Sequence, residues 1–576
     1  MRRVSVLCAA VFFVLALAPT ALGAAGGKDK DTFVQLLAIN DFHGNLLPPS
    51  GSSGRIAVGP PLTPGGAAQT VDAGGVEYLA TWLKDLRTTN PNTITVGAGD
   101  IIGASPLISG LFHDEPTIEA MNALHLDVTS VGNHEFDEGI DELLRMQFGN
   151  QLGGDGCHPV DGCQDGTPFG GSLFQYLAAN VFYEHTHRTI FPPYEIRKVH
   201  NAKIAFIGLT LEGTPLIVTP AGVAGLEFRP EIPTINKLVS QLRARKGVRA
   251  FVVLIHQGGQ QTAPFANGFM DVNRCDNLTG DIVPIVEGLS RQVDVVVSAH
   301  THQPYICNID GKLVTSASSF GRLITDIDLR IDHRTKDIQS ASAHNVIVTR
   351  DVAKDPAETA IVDKYNALSG PIAHRVIGSI TADINRVPTD AGETALGDVI
   401  ADAQLDSTSP ADFGGAVVAF MNPGGIRADL IFDNADGGEA PGEITYNEMF
   451  TVQPFNNVMT VKTMTGDMIY RLLEQQFTGA NGILQVSNGF SYRWSPNQTP
   501  HVIDGSVEIN GTPVVKTQSY RVAMNNFLAS GGDGFTVFNE GTDQLGGEID
   551  IDAAVNYFLE NSPVAPGPRN RITLVP

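Results

Sequence analysis

Seven residues in five short segments have the types and spacing of a metal centre: Asp41 and His43, Asp100, Asn133, His256, and His300 with His302. Asp-x-His sets two ligating side chains two residues apart, so at the end of an extended strand both can face one ion. His300-Thr301-His302 repeats the arrangement. Asp100 stands in Gly99-Asp100-Ile101-Ile102-Gly103, a tight turn from which one carboxylate can offer an oxygen to each of two ions. Mixed imidazole, carboxylate and amide donors suit zinc, manganese or cobalt better than calcium. Two such ions about 4 Å apart are the equipment for in-line displacement at phosphorus. Each segment alone says little. An isolated histidine among 15 is by default a surface or hydrogen-bonded group, and Gly-Asp-x-x-Gly is ordinarily a turn. Their serial order, each behind an apolar run, points to one constellation.

The elements that must position them follow an α/β pattern. Short β-branched apolar runs fall at residues 33–39, 93–96, 128–131, 203–209, 251–255 and 293–297, and helices are expected at 76–87, 116–124, 139–147 and 232–245. Most of these runs end at a candidate ligand, which fits the rule that α/β sheets bind ligands beyond the carboxyl ends of their strands. Residues 48–75 and 149–171 read as loops. The pattern of residues 32–350 then gives way to a charged, alanine-rich linker helix over 351–371. A second α/β unit follows over 377–576, with helices at 396–405 and 466–477 and strands at 417–421, 458–464 and 520–524.

A chain of 576 residues exceeds what one hydrophobic core holds, in keeping with two units. Its first 23 residues, with Arg2 and Arg3 ahead of an apolar run and small residues at Ala21 and Gly23, have the layout of a secretory signal peptide. An exported protein, secreted, periplasmic or surface-associated and with no membrane span, is the expectation. Export permits disulfides. Four cysteines remain after the signal and allow three connectivities; Cys157 with Cys163 and Cys275 with Cys307 is the favoured one. A net charge of -24 excludes a nucleic-acid polymer or an anionic membrane as main partner, since both need a basic surface. It leaves room for a small anionic substrate, because bound cations reverse the local sign.

The segments Asp41-Phe42-His43, Gly99-Asp100-Ile101-Ile102-Gly103, Gly132-Asn133-His134-Glu135-Phe136-Asp137, His256-Gln257-Gly258 and His300-Thr301-His302 together resemble the calcineurin-like metallophosphoesterase signature. The continuation Phe136-Asp137 is similar to the secreted 5'-nucleotidase and UDP-sugar hydrolase family. In the second unit Asn422-Pro423-Gly424-Gly425-Ile426-Arg427, Pro454-Phe455-Asn456-Asn457 and Asn526-Phe527-Leu528-Ala529-Ser530-Gly531-Gly532-Asp533-Gly534 resemble that family's nucleotide-binding domain.

The resemblance implies a four-layer α/β/β/α sandwich carrying two divalent metal ions, followed by an α/β domain that binds the nucleoside. One ion would take Asp41, His43, Asp100 and His302, the other Asp100, Asn133, His256 and His300. His134, oriented by Asp137, would form the catalytic dyad. Phe455 and Phe527 would sandwich a base, Asp533 would receive ribose hydroxyls, and Arg427, Asn422 and Asn457 would complete the pocket. Asp390, Ala391 and Gly392 stand where the family often carries arginines, and Arg386 is the nearest substitute. The implied activity is hydrolysis of nucleoside 5'-phosphates, extending to di- and triphosphates or UDP-sugars. Its rivals are a 2',3'-cyclic-nucleotide phosphodiesterase and a binding protein that retains the fold.

Overall fold

Parallel strands buried on both faces read in a sequence as continuous apolar runs, and the runs of the N-terminal half build the centres of two six-stranded sheets. The computed structural model describes residues 30–49, 51–63, 68–218, 221–433, 438–479 and 482–576, so the expected signal peptide lies outside the described residues. In the first sheet the order is Ile338–Ile347, Leu323–Ile331, Thr32–Ile39, Thr93–Ala98, Val128–Ser130, Gln175–Leu177. The last four strands are mutually parallel, and the first two are antiparallel additions. In the second sheet the order is Pro304–Ile309, Lys312–Ala317, Val295–Ser298, Ala250–His256, Ala202–Thr210, Tyr194–Val199, parallel inside and antiparallel at both edges.

Alternation along each strand sorts its side chains into layers. Leu36, Ala38, Val96 and Ala98 meet Phe206, Val252, Leu254 and Val297 of the opposite sheet. The intervening Leu37 and Ile39 pack under the helices Val76–Arg87, Glu115–Ala123 and Ile140–Phe148. On the far side Phe251, Val253 and Ile255 pack under Glu231–Lys246 and Ile282–Gly288. The result is the four-layer helix, sheet, sheet, helix sandwich. The expected loop over 48–75 contains a hairpin, Arg55–Gly59 paired with Gln69–Asp72. The expected loop over 149–171 is bridged by Cys157–Cys163, and Cys275 is bonded to Cys307.

The linking helix is Pro356–Ala373, capped by Asp355, whose carboxylate accepts from the N–H groups of Ala357 and Glu358. It begins later than the expected 351 and runs past Pro371, which falls in its last turn. Val362 and Tyr365 pack into the first unit and Ala373 into the second. The C-terminal sheet runs Gln485–Val486, Val418–Met421, Ser519–Asn525, Val458–Thr465, Thr542–Ile549. Ala395–Thr408 and Asp550–Asn561 share one core with Leu107 of the first unit, and Gly466–Gln475 covers a second core.

Candidate metal centre and substrate cleft

The five segments converge, though not as extended strand ends. Asp41, His43, Asp100, His300 and His302 all lie in the left-handed backbone region, with φ of 48, 49, 48, 73 and 57°. Such non-glycine conformations cost about 1–3 kcal/mol each and persist where the surroundings enforce them. Here the enforcement is visible. The N–H of Asp41 donates to Gly99 (3.2 Å) and that of His43 to Asp100 (3.0 Å), laying the first loop along the second. Asn40 spans the gap by donating to the Ser318 carbonyl (2.7 Å) and accepting from the Ala317 N–H (2.8 Å). The loops also touch backbone to backbone. A Cβ on Gly132 would stand 2.1 Å from Asp100 Oδ1, and one on Gly99 2.6 Å from the Gly132 nitrogen.

Asp41, His43 and His302 bring ligand atoms within 4.8 Å of one another, and so do Asp100, His256 and His300. His43 Nε2 lies 3.1 Å from His302 Nε2 and 3.5 Å from Asp100 Oδ2. His256 Nε2 lies 2.9 Å from Asp100 Oδ2 and 3.1 Å from Asn133 Oδ1. Both imidazoles are fixed from behind: His43 Nδ1 faces the Gly103 carbonyl at 2.8 Å and His256 Nδ1 the Ala98 carbonyl at 2.8 Å. A carbonyl only accepts, so each Nδ1 carries the proton and each Nε2 turns a lone pair toward the centre. For His256 that lone pair would face two oxygens, a repulsive arrangement unless a proton or a metal cation stands between them. The donor set therefore fits a cation at each cluster.

The titration tendencies divide the set: His43, His300 and His302 stay neutral, while His256 and Asp41 favour a proton that a cation would displace. Burial, with Asp100 adding to it, pushes the Asp41 carboxyl up to about 7. Burial pushes His43 down to about 3, and His300 also to about 3 with the help of His256. His302 lies well below the usual range, from burial and from His43. His256 resists its burial because Asp100 faces it, and rises to about 9. The site thus keeps most imidazoles neutral, as metal ligation requires.

One residue that pattern reading left without a role organises the whole. The buried Glu135 carboxylate accepts from the N–H groups of Asp100 (2.9 Å), Ile101 (2.8 Å) and Gly132, so it pins the Asp100 loop to the Asn133 turn. Its position beside His134 was the available signal.

His134 stands at the rim, with Nδ1 2.8 Å from Asp137 Oδ2 and its backbone N–H on Asp100 Oδ1 at 2.9 Å. Burial works against its charge, but Asp137 and Asp100 outweigh that and raise its pKa. Its ring is 5.6 Å from that of Phe455 at 23°. Phe455 in turn lies under the Arg427 guanidinium, 5.7 Å from the ring centre. A cleft of about 270 Å³ opens here, lined by His302, Phe320, Arg322, Arg386 and Arg427 together with Ser53 of the N-terminal hairpin region. Arg386 is steered into it by Asp429 (3.1 Å).

Deeper in the second unit, Asp533 accepts from the Asn422 amide at 2.8 Å, and Asn422 in turn accepts from Asn525 at 3.1 Å. Phe527 lies across Gly532, where a Cβ would meet its ring at 2.6 Å. No ring contact joins Phe527 to Phe455 among the described residues. Asn457 is engaged inward: its side-chain amide donates to Asp550 (3.1 Å) and its backbone carbonyl accepts the Asp550 N–H (2.7 Å). The pocket contact expected of it is not what this geometry offers.

Comparison with known proteins follows the same division. Residues 34–304 match the calcineurin-like phosphoesterase family and residues 376–540 the 5'-nucleotidase C-terminal domain. The chain is 32% identical over 96% of its length to the protein named Endonuclease YhcR of Bacillus subtilis, of which it spans 42%. It is 30% identical over 92% of its length to Cell wall protein Lmo0130 of Listeria monocytogenes, of which it spans 67%. The fold is that of a Thermus thermophilus 5'-nucleotidase precursor, at TM-score 0.71 and 24% identity, with 94% of this chain and 99% of that one covered. With both family models in chain order and a relative 30% identical of which the chain spans 67%, the chain belongs to the 5'-nucleotidase family, joining a calcineurin-like phosphoesterase domain to that family's C-terminal domain.

Proposed function

We propose that the chain hydrolyses nucleoside 5'-monophosphates outside the cytoplasm to nucleoside and phosphate, using two divalent cations, and that nucleoside di- and triphosphates and UDP-sugars are further substrates. The observation that carries this reading is the meeting of His134 with Phe455, which sets the residues suited to phosphorus chemistry against those suited to a base. Asp41, His43, Asp100 and His302 would hold one cation, and Asp100, Asn133, His256 and His300 the other. Bound there, the cations supply charge neutralisation at phosphorus and acidify the attacking water.

The side chains do the rest. His134, held by Asp137, donates to the phosphoryl oxygens as negative charge grows on them. As the water oxygen bonds to phosphorus, the bond to the 5'-oxygen breaks and that oxygen leaves with a proton. Arg427 and Arg386 grip the phosphate with planar forks. Phe455 and Phe527 stack on the base, a contact tolerant of base identity. Asp533, braced by Asn422, accepts from the ribose hydroxyls.

Two disulfides support an extracytoplasmic setting. No described helix is long and apolar enough to cross a membrane. A binding protein that keeps only the fold finds no support, since all seven candidate ligands are present and drawn together. The name of the Bacillus relative, an endonuclease, favours a second reading, cleavage of a phosphodiester, for which a 2',3'-cyclic nucleotide is a small probe. Turnover of AMP, UDP-glucose and 2',3'-cyclic AMP side by side by the manganese- or zinc-loaded protein separates the readings. AMP should release phosphate fastest, and full activity in His134→Ala would overturn the assignment.

A further inference from the structure

The cleft beside His302 holds one cation that the reaction does not use. Arg322 spends its donors on neutral oxygens: Nε on the Ser319 carbonyl (3.0 Å), Nη1 on the Arg55 carbonyl (3.2 Å), and Nη2 on the hydroxyls of Ser318 (3.0 Å) and Ser319 (2.7 Å). Arg386 across the cleft is matched by Asp429, whereas no carboxylate pairs with Arg322 among the described residues. Burial accordingly pushes the Arg322 guanidinium down to about 10, with no acidic neighbour opposing it. An uncompensated arginine is costly unless an anion visits, and it is the more notable in a chain of net charge -24.

Its position says which anion. The guanidinium lies 5.3 Å from the centre of the Phe320 ring, and the same ring sits 5.4 Å from His302 and 5.9 Å from His43. One aromatic ring therefore separates Arg322 from the candidate metal ligands. It is set back from a phosphate held at those histidines but lies along the same cleft, where a group linked to that phosphate would extend. Ser53 also lines this cleft, its hydroxyl accepting from Arg386 at 3.3 Å.

We propose that this end of the cleft is a subsite for a second phosphate joined to the scissile one, and that Arg322 determines a preference for substrates carrying two linked phosphates. The proposal rests on the nucleotide reading above only for the molecule that carries the phosphates. It is tested by kcat/KM for ADP and AMP in the metal-loaded protein and in Arg322→Met and Ser53→Asp. Ser53→Asp introduces a repelling carboxylate and leaves every Arg322 hydrogen bond in place.

The ADP-to-AMP ratio should fall in both variants by about tenfold or more, the worth of a charge-assisted pair. AMP turnover in Arg322→Met should stay within about twofold, since the Phe320 ring sets Arg322 back from a phosphate held at His302. A ratio unchanged in both variants, or an equal loss on the two nucleotides, overturns the subsite. Calorimetric binding of methylenediphosphonate against methylphosphonate asks the same question without turnover. Loss of the diphosphonate preference in Arg322→Met supports the subsite, and an unchanged preference overturns it. A native protein that releases phosphate from neither nucleotide sinks the proposed function, while the binding comparison still decides the subsite.

Discussion

At the scale of single residues, the donor types were legible and their backbone was not. Asp, His and Asn at the ends of apolar runs announced a polyvalent centre, because nothing in a packed core calls for such residues in series. The left-handed conformations of Asp41, His43, Asp100, His300 and His302 left no trace in the sequence. They are imposed by loops that meet only after both sheets have formed. Glu135 and Asn40 act through backbone contacts to distant segments, which no local pattern encodes. Asn457 shows the reverse error, a motif residue turned inward to Asp550. Glu135→Gln replaces an acceptor oxygen with a donor facing backbone N–H groups. It should cost about 1–3 kcal/mol, seen as a lower Tm together with weaker metal retention; an unchanged Tm and metal content would contradict the role given to it. Asp137→Asn keeps the length of the contact to His134 but removes the charge that favours the imidazolium. kcat on AMP should fall on the order of 10²-fold, with metal content unchanged.

At the scale of elements, the strands buried on both faces were readable as apolar runs, while the antiparallel strands added beside them were not. Leu323–Ile331 turns Asp328 and Arg330 outward and so breaks any such run, although it pairs with the neighbouring strand from Thr32 to Ala38. The hairpin within 48–75 was hidden among Gly, Ser and Pro, yet its neighbourhood supplies Ser53 to the cleft and the Arg55 carbonyl to Arg322. Contact between the Asp100 and Asn133 loops depends on Gly132. Gly132→Ala would drive a Cβ into Asp100 and, by displacing it, should lower kcat by about 10²-fold; comparison of rates and of metal content checks this.

The linking helix carries a pH-sensitive group. Glu358 is buried with both carboxylate oxygens unpartnered, and burial, reinforced by Asp355 and Glu77, raises its pKa to about 8. The folded chain thus binds a proton that the unfolded chain releases above its ordinary value of 4.5. This group's contribution to stability is complete below about 4.5, declines as pH rises toward 8 and is flat beyond. Glu358→Gln removes the dependence, so its Tm relative to the native chain should climb across that window. A difference independent of pH would contradict the assignment.

At the scale of the whole molecule, two units were legible from the change of pattern near residue 351, and the contact between them was not. Val362, Tyr365 and Ala373 tie the linking helix to both cores, Leu107 enters the second core, and Phe455 reaches His134. Each is a long-range packing event between segments whose local sequence is ordinary. The centre gathers buried carboxylates that cations would neutralise and imidazoles that would ligate them, so stripping metal with a chelator should lower Tm, and returning manganese or zinc should restore it in a concentration-dependent way.

The central claim, a two-cation hydrolase acting on a nucleotide held between the units, is tested most directly by titrating metal-free protein with manganese or zinc while following phosphate release from AMP. The account predicts no release without metal and a rise that levels off at two ions per chain. Full activity in the metal-free protein, or none at any metal concentration, would contradict it.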